Sequence, residues 1–199
     1  MRARNARLPD AFAIDQLIQV HVGDGTLLPR SLSEICENIR DFIVVENEGE
    51  IVGCGALHLY GMHLAEVRSI TVTKTSKGKG AGRVLIEALM KEAQKQSVTC
   101  VCLFTRIPEF FFQFDFRIAD RTALPDKIYK DCQACPRLYA CDEVAMVRGP
   151  LPKMAVLGPT RIAQPELVRL QVGHIAHPVE EPGGRGADGT GAIRPKSTI

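Results

Sequence analysis

A glycine-rich turn, Lys77–Gly82 (KGKGAG), holds the residues whose types and spacing most clearly suggest chemistry. A β-branched run at residues 70–73 leads into it, and an amphipathic helix is predicted directly after it. Glycines leave the backbone open to a ligand, and the first N–H groups of a helix are unpaired and carry partial positive charge. A strand, such a turn and a helix N-terminus together predict an anion cradle, suited to a phosphate or pyrophosphate. A purely structural turn would explain one glycine but does not need three.

A second candidate site is the cysteine cluster Cys132, Cys135 and Cys141, which has the spacing C-x2-C-x5-C. Two thiolates at C-x2-C spacing on a turn suit zinc, although a closed zinc site takes four ligands. Asp142, His63 or a distant cysteine could supply the fourth ligand. Two alternatives stay open, namely three reduced thiols in a loop and a redox-active disulfide. The total of seven cysteines, without a secretory signal, argues against a disulfide framework.

The elements that position these residues follow from periodicity and turn signals. Helices are predicted at residues 10–22, 32–40, 83–94 and 108–114. Strands are predicted at residues 2–7, 41–46, 50–60, 64–73, 98–105, 116–119 and 143–148, with a hairpin turn at residues 47–49. The three strands between residues 41 and 73 have short connections and should be antiparallel. The strand at 98–105 follows a helix and should therefore lie parallel to the strand at 64–73.

Composition limits the class of protein. A hydrophobic fraction of 45% and a charged fraction of 24% are ordinary for a globular domain, and no run of 18 apolar residues could span a membrane. The basic start of the chain lacks an apolar signal core, so a cytoplasmic location is expected. Residues 1–148 carry 19 basic and 19 acidic residues, a balance that gives no electrostatic footprint for nucleic acid.

The C-terminal stretch differs in composition from the rest of the chain. Residues 149–199 hold eight of the 17 glycines and seven of the 12 prolines. Apart from one short helix at residues 162–172, we expect this tail to be disordered, because it cannot bury enough apolar surface. The predicted organisation is one α/β (α+β) domain at residues 1–148 followed by the tail.

The predicted order of elements, together with two motifs, resembles the GNAT superfamily of N-acetyltransferases, which bind acetyl-CoA. Their pyrophosphate loop follows R/Q-x-x-G-x-G/A, and Lys77–Gly82 matches it with a lysine in the first place. Their F-Y-x-x-x-G-F motif corresponds to residues 110–116, with Phe111 in place of the tyrosine and Asp115 in place of the glycine. The resemblance implies the GNAT acyltransferase fold, a mixed and mostly antiparallel sheet that is splayed at its two parallel strands and flanked by helices.

Five shorter segments resemble the short single-domain bacterial N-acetylglutamate synthases, which are enzymes of arginine biosynthesis. These segments are ARLPD at 6–10, LPRSL at 28–32, VGCGALH at 52–58, AEVRS at 65–69 and PEFF at 108–111. The match covers residues 2–148 and excludes the tail. It implies small-molecule substrates and direct acetyl transfer from acetyl-CoA to the α-amino group of L-glutamate, and a homodimer is compatible with it.

The resemblance also implies roles for individual residues. Glu66 corresponds to the glutamate base of several family members, which takes a proton from the acceptor amine; an ordinary carboxylate paired with Arg68 is the alternative. Arg30 and Arg68 are the expected carboxylate clamps, and Arg106 is a third candidate, since a guanidinium group binds carboxylates bidentately. The expected cofactor-binding set is Ile70, Thr71, Val72, Lys77, Gly78, Lys79, Gly80, Ala81, Gly82 and Arg83.

Two rival functions stay open on the sequence. A GNAT enzyme could acetylate another amine, such as a different amino acid, a polyamine or a protein N-terminus. A cationic polyamine would call for an acidic site rather than Arg30 and Arg68. The chain could also be a non-catalytic acyl-CoA or metal sensor, with the cysteine cluster as its switch and Phe111 in the place of a tyrosine acid.

Overall fold

Seven strands form one mixed sheet in the computed structural model of the chain, which describes residues 1–23, 25–133 and 135–152. The strands are β1 (Arg2–Asn5), β2 (Phe42–Asn47), β3 (Glu50–Gly61), β4 (Leu64–Val72), β5 (Val101–Thr105), β6 (Arg117–Ile118) and β7 (Val144–Arg148). Their order across the sheet is β1-β2-β3-β4-β5-β7-β6. Among these strands β4 and β5 are the one parallel pair, and every other neighbouring pair is antiparallel. The predicted mixed, mostly antiparallel sheet is therefore confirmed.

Five α-helices accompany the sheet within the described residues. They are α1 (Ala11–Val22), α2 (Leu32–Glu37), α3 (Ala81–Lys95), α4 (Pro108–Phe112) and α5 (Pro125–Lys127). The Ser31 hydroxyl caps α2 by accepting a hydrogen bond from the Glu34 N–H at 3.1 Å, as in a capping box, in which Ser is followed three residues later by Glu. The helix ends at Glu37 instead of residue 40, because Asn38 leaves the helical conformation and its side-chain amide bonds to the Glu34 carbonyl.

The two faces of the sheet carry different cores. On one face, α3 packs Leu85, Ile86 and Leu89 against Val67 of β4 and Leu103 of β5. The opposite face is covered at one end by α1 and α2 and at the other by the chain around Leu124. Burial of these apolar side chains is the main source of stability, at about 2 kcal/mol for each large aliphatic side chain. On this second face, the polar side chains that lie between α1 and α2 at one end and the chain around Leu124 at the other are available to form a site.

The parallel strands β4 and β5 separate soon after they meet. They pair only at Ala65 with Val101 and at Glu66 with Cys102, although β4 continues for six more residues and both strands are fully described. Beyond Glu66 the β5-side edge of β4 is therefore left without a partner strand. The predicted splay at the parallel strands is present, and it opens beside Glu66.

The stretch from residue 121 to 140, which sequence periodicity left without regular structure, contains several short helical turns. They are Arg121–Ala123, α5, a π-helical turn at Ile128–Cys132 and a turn at Leu138–Ala140. Leu124 is fully buried against Cys100 and Cys102 of the sheet, and it anchors this segment over the second face. We call residues 121–140 the covering segment.

Two expectations concern parts of the chain with little or no described structure. No helix in the described ranges is long and apolar enough to cross a membrane. The expected disordered tail lies almost wholly in residues 153–199, and its short helix at 162–172 lies entirely there; these residues are outside the described part of the chain.

Candidate active site

The start of α3 forms the cradle that the glycine motif predicts. Gly80 is the N-cap residue and has φ +91°, a left-handed conformation that favours glycine. The first helical bond is donated by the Val84 N–H to the Gly80 carbonyl at 3.0 Å, so the N–H groups of Ala81, Gly82 and Arg83 lack an intrahelical acceptor. Lys77–Gly80 is exposed to solvent, which leaves these donors accessible to an anion. The residues fit a pyrophosphate.

Gly82 has a second function in packing. A Cβ atom at this position would lie 3.1 Å from Cζ of Phe110, so the missing side chain lets α4 approach the first turn of α3 closely. The Arg83 side chain bonds to Gln113 at the end of α4 and lies over the Phe114 ring at 5.6 Å. The expected contribution of Arg83 to cofactor binding is therefore left to its backbone N–H.

The free edge of β4 offers backbone groups to an extended ligand. The Thr73 N–H donates to the Val52 carbonyl of β3 at 2.8 Å. Because successive N–H groups of a strand point to opposite sides, the Val72 N–H points away from β3 and into the splay. An extended chain with amide groups could pair with this edge as an added strand would. Ile70, Thr71 and Val72 lie where such pairing is expected.

A bulge in β4 marks the same region. Cys54 and Ala56 of β3 pair with Thr71 and Arg68, so one residue of β3 opposes two residues of β4, Ser69 and Ile70. Ser69 has φ +54°, which is uncommon for a residue with a side chain. Bulges re-aim the side chains beside them. Here the bulge brings Arg68 and Thr71 to the same face of the sheet, opposite α3.

Glu66 lies in a buried ionic network on that face. Its side chain is 4% exposed, and its Oε1 atom is 2.7 Å from Nζ of Lys127 in the covering segment. Its Oε2 atom accepts a hydrogen bond from the Tyr60 hydroxyl at 2.9 Å. The Tyr60 oxygen is also 2.6 Å from Oδ2 of Asp131, which lies 3.1 Å from Lys127 and 3.9 Å from Arg68. Two carboxylates and two cations make the network neutral.

The pKa values in this network follow from burial and from charge. Burial opposes the charge of Lys127, but Glu66 and Asp131 outweigh it and raise the Lys127 pKa, so the amine stays an ammonium. Burial raises the pKa of the Tyr60 phenol, and the two carboxylates raise it further. For Asp131, burial is outweighed by the Tyr60 hydrogen bond and by Lys127 and Arg68, so its pKa lies below the ordinary value.

Two of the three expected arginine clamps approach the bulge. The Arg68 side chain is 16% exposed, and its Nε–H is buried with no acceptor among the described residues. The Thr71 hydroxyl on the same face is likewise buried without a partner. Arg30 Nε donates to the Ser69 hydroxyl at 2.9 Å, and its Nη1 pairs with Glu34. An anion bound here would satisfy donors that the protein leaves unpaired.

Other protein groups already bind the third arginine candidate, Arg106, and two nearby histidines, His58 and His63. Arg106 donates to Asp142 at 2.8 Å and to the Gly25 carbonyl at 3.0 Å, so its guanidinium ties the end of β5 to two loops. His58 lies 3.5 Å from Asp41, and His63 lies 3.0 Å from Asp126. The Glu66 carboxylate is held by Tyr60 and Lys127, although His58 is its cross-strand neighbour on β3.

The expected zinc site at the cysteine cluster is not formed. Among the described residues, no three His, Cys, Asp or Glu side chains come together in a way that could hold a metal ion. The Cys141 sulfur lies 2.9 Å from the Arg121 guanidinium, a cation that would repel a metal, and the Cys135 sulfur accepts from the Arg137 N–H. All seven cysteines are free thiols in the described structure.

The aromatic motif after β5 has a structural role. Phe111 is 3% exposed, and its ring contacts the rings of Phe110 and Phe116, so it belongs to the core on the α3 side. A phenylalanine there gives the leaving thiolate no proton. Asp115, which stands in the place of the family's glycine, has φ +63°. The motif therefore keeps its left-handed turn without glycine, because aspartate tolerates this conformation better than most residues.

Comparisons with known proteins point to one family. Residues 17–110 match the model of the acetyltransferase (GNAT) family. An uncharacterized N-acetyltransferase of Chlorobaculum tepidum is 39% identical over 145 residues, which cover 73% of this chain and 94% of that protein. The chain belongs to the GNAT family of acetyltransferases. It is an N-acetyltransferase that uses acetyl-CoA.

Two further comparisons with this GNAT chain involve Mycobacterium tuberculosis. An amino-acid acetyltransferase is 30% identical over 131 residues, covering 64% of this chain and 75% of that protein. The crystal structure of Rv2747 in complex with CoA superposes with a TM-score of 0.66 at 26% identity, covering 76% of this chain and all of that one. A CoA complex of the same fold supports acetyl-CoA as the donor.

Sequence reasoning missed three members of the site, namely Tyr60, Lys127 and Asp131. Tyr60 lies two residues after His58 on β3, and strand alternation alone places both on one face with Glu66. Strand alternation could therefore have placed Tyr60 beside Glu66 from the sequence. Lys127 and Asp131 carried no comparable signal, because the covering segment lacks the periodicity that would have predicted its helical turns.

Proposed function

We propose that this GNAT enzyme acetylates the α-amino group of L-glutamate, which would make it an N-acetylglutamate synthase of arginine biosynthesis. The observation that carries the proposal is Arg68, a nearly buried guanidinium beside the splay whose Nε–H has no acceptor in the described structure. A buried donor without a partner costs about 1–3 kcal/mol, so an anionic group on the acceptor would recover that free energy. Glutamate offers two carboxylates.

The second cation of the proposed clamp is Arg30. It reaches the same bulge through its bond to Ser69, next to Arg68 in the chain. An ammonium group of a polyamine placed against Arg68 and Arg30 would meet like charges, and like charges repel in a poorly solvated site. The relative named amino-acid acetyltransferase, 30% identical over three quarters of its own length, supports an amino acid as the acceptor.

The proposed reaction uses direct attack. Glu66 takes one proton from the α-ammonium group, and the resulting neutral amine attacks the thioester carbon of acetyl-CoA. The N–C bond forms, the C–S bond breaks, and the amine's second proton goes to the leaving thiolate. A carboxylate has about four acceptor positions, and Lys127 and Tyr60 occupy two of those of Glu66, so others remain for the acceptor. The Val72 N–H is the proposed donor to the oxygen that gains charge.

The test is acetyl-CoA-dependent thiol release by the full chain across a panel of acceptors. The panel contains L-glutamate, L-glutamine, L-aspartate, L-lysine, spermidine and a peptide with a free N-terminus. We expect L-glutamate to give the highest kcat/KM, with N-acetylglutamate identified as the product by mass spectrometry. Preferred turnover of another amine would overturn the assignment of glutamate, and no turnover of any amine would favour the sensor alternative.

A further inference from the structure

A proton has to leave the site in every catalytic cycle. The acceptor enters as an ammonium, and the reaction ends with a neutral amide and a neutral thiol, so one proton is released to solvent for each acetyl group transferred. In the proposed function Glu66 takes this proton, and the inference below rests on that role of Glu66. Because the Glu66 side chain is 4% exposed, the proton needs a defined route out.

Tyr60 connects Glu66 to a carboxylate that solvent can reach. Its hydroxyl oxygen lies 2.9 Å from Oε2 of Glu66 and 2.6 Å from Oδ2 of Asp131, and both distances are within hydrogen-bond range. The Asp131 side chain is 33% exposed. A phenol has a single proton, so it can donate to only one of the two carboxylates at a time. This arrangement is that of a relay, with an acceptor on each side of one exchangeable proton.

We propose that Tyr60 is a relay residue that transfers the proton from Glu66 to Asp131 and so resets the base after each turnover. The O–H bond of the protonated Glu66 breaks as its proton bonds to the Tyr60 oxygen. In the same step the phenol O–H bond breaks, and its proton bonds to Oδ2 of Asp131. The phenol is neutral before and after the step. Asp131 then gives the proton to water, and rotation of the hydroxyl restores the starting arrangement.

The neighbours of Tyr60 favour this concerted transfer. The two carboxylates and burial all disfavour a free phenolate, so a stepwise route through that anion is unfavourable. Lys127 bridges Glu66 and Asp131 and stays an ammonium, so it holds the two carboxylates in place without carrying the proton. Asp131 has a lowered pKa, so it holds the proton only briefly; this makes the transfer onto it less favourable but the loss of the proton to water fast.

Two further side chains, those of His58 and Lys130, lie against Tyr60. On β3, His58 touches the Tyr60 ring edge-on, with ring centroids 4.9 Å apart, and its own charge partner is Asp41. In the covering segment, Nζ of Lys130 lies 5.2 Å from the centre of the Tyr60 ring. Both groups contact the ring, whereas the two short contacts of the hydroxyl are to Glu66 and Asp131.

Rapid-quench kinetics of the Tyr60→Phe variant test the relay, with the full chain and whichever acceptor turns over fastest. The proton can remain on Glu66 during the first turnover, so we expect the first equivalent of thiol to appear at the wild-type rate. Later turnovers must wait for Glu66 to lose its proton, and we expect kcat to fall at least about fivefold, a modest share of the roughly 100-fold or more that a positioned proton-transfer group contributes. Asp131→Asn should give the same stoichiometric burst, and the double variant should be no slower than the slower single variant.

Control variants separate the relay from other causes. Tyr139→Phe makes the same chemical change at a tyrosine that is 99% exposed, and it should leave both phases unchanged. If Tyr60 had a purely structural role, Tyr60→Phe would slow the first turnover and the later turnovers equally. That result would overturn the relay, and so would a loss of kcat smaller than about fivefold. Glu66→Gln should slow the first turnover as well. If it does not, the role of Glu66 fails and the relay fails with it, whatever the identity of the acceptor.

Discussion

Single residues of the site differ in how far the sequence could place them. Glu66 and Arg68 alternate with apolar residues along β4, and strand geometry alone puts both on one face. What the sequence did not contain was the set of partners. Lys127 and Asp131 reach Glu66 and Arg68 from more than 55 positions away in the chain, through a segment without a periodic pattern. The alternative role of Glu66, a simple ion pair with Arg68, therefore does not match the structure. The short contacts of Glu66 are to Lys127 and Tyr60.

Asp10 supports the fold through a charge network away from the site. Arg4 holds its carboxylate with two bonds of 2.6 and 2.9 Å, and the Arg7 N–H adds a third of 2.7 Å. The Arg4 guanidinium, helped by the Arg7 N–H, keeps the pKa of Asp10 below its usual range although burial opposes this. A carboxylate with a lowered pKa stabilises the fold above its unfolded-state pKa, near 4, and loses that contribution as pH falls through the folded-state value.

Asp10→Asn should therefore lower the free energy of unfolding by about 2 kcal/mol at pH 7, the range found for hydrogen bonds to charged groups. The difference from wild type should shrink as the pH drops below about 4, because the carboxyl group of the unfolded chain then binds a proton and that of the folded chain, with its lowered pKa, follows only at lower pH. Urea unfolding at a series of pH values measures both effects. Asp15→Asn is the matched control, since Asp15 makes one exposed contact of 3.1 Å with Gln19. A difference that stays constant down to pH 2 would contradict the assignment.

At the scale of elements, the glycine turn and α3 were predictable because several local signals agree there. A β-branched strand, three glycines and an amphipathic helix all indicate the same boundary, and α3 begins at Ala81, so that it includes the last two residues of the predicted turn. The end of α2 and the covering segment were not predictable in this way. The end of α2 depends on a single asparagine, Asn38. The covering segment depends on the packing of Leu124 against β5. Tertiary packing decides such short elements.

The turn before α3 should be sensitive to a single methyl group. Gly80→Ala forces φ near +91° on a residue with a Cβ atom, which costs about 1–2 kcal/mol and should lower Tm by about 2–6 °C for a chain of this size. We also expect the KM for acetyl-CoA to rise, because relief of the strain moves the N–H groups of the cradle. Gly23→Ala is the control, since Gly23 is in a helical conformation with open space around it. Equal Tm and KM values for Gly80→Ala and wild type would show that the cradle geometry does not depend on this glycine.

At the scale of the whole molecule, the fold class was predictable and the chemistry of the acceptor was only partly so. The order of strands and helices in residues 2–148 is enough to indicate a GNAT domain, because each motif falls at its expected element boundary. Acceptor preference depends on unpaired groups such as the Arg68 Nε–H, and these exist only after β4 has bulged at Ser69 and the covering segment has folded over it. A homodimer and a cytoplasmic location stay predictions.

The most direct test of the account compares kcat/KM for L-glutamate and L-glutamine in the wild type and in Arg68→Ala. The two acceptors differ only in one carboxylate. The wild type should prefer glutamate at least about tenfold, as expected for one charge-assisted hydrogen bond. Arg68→Ala should bring that ratio toward one and raise the KM for glutamate far more than the KM for acetyl-CoA, while Arg40→Ala, at an exposed site, should change neither. Equal use of glutamine by the wild type, or an equal rise of both KM values in Arg68→Ala, would contradict a carboxylate clamp at Arg68.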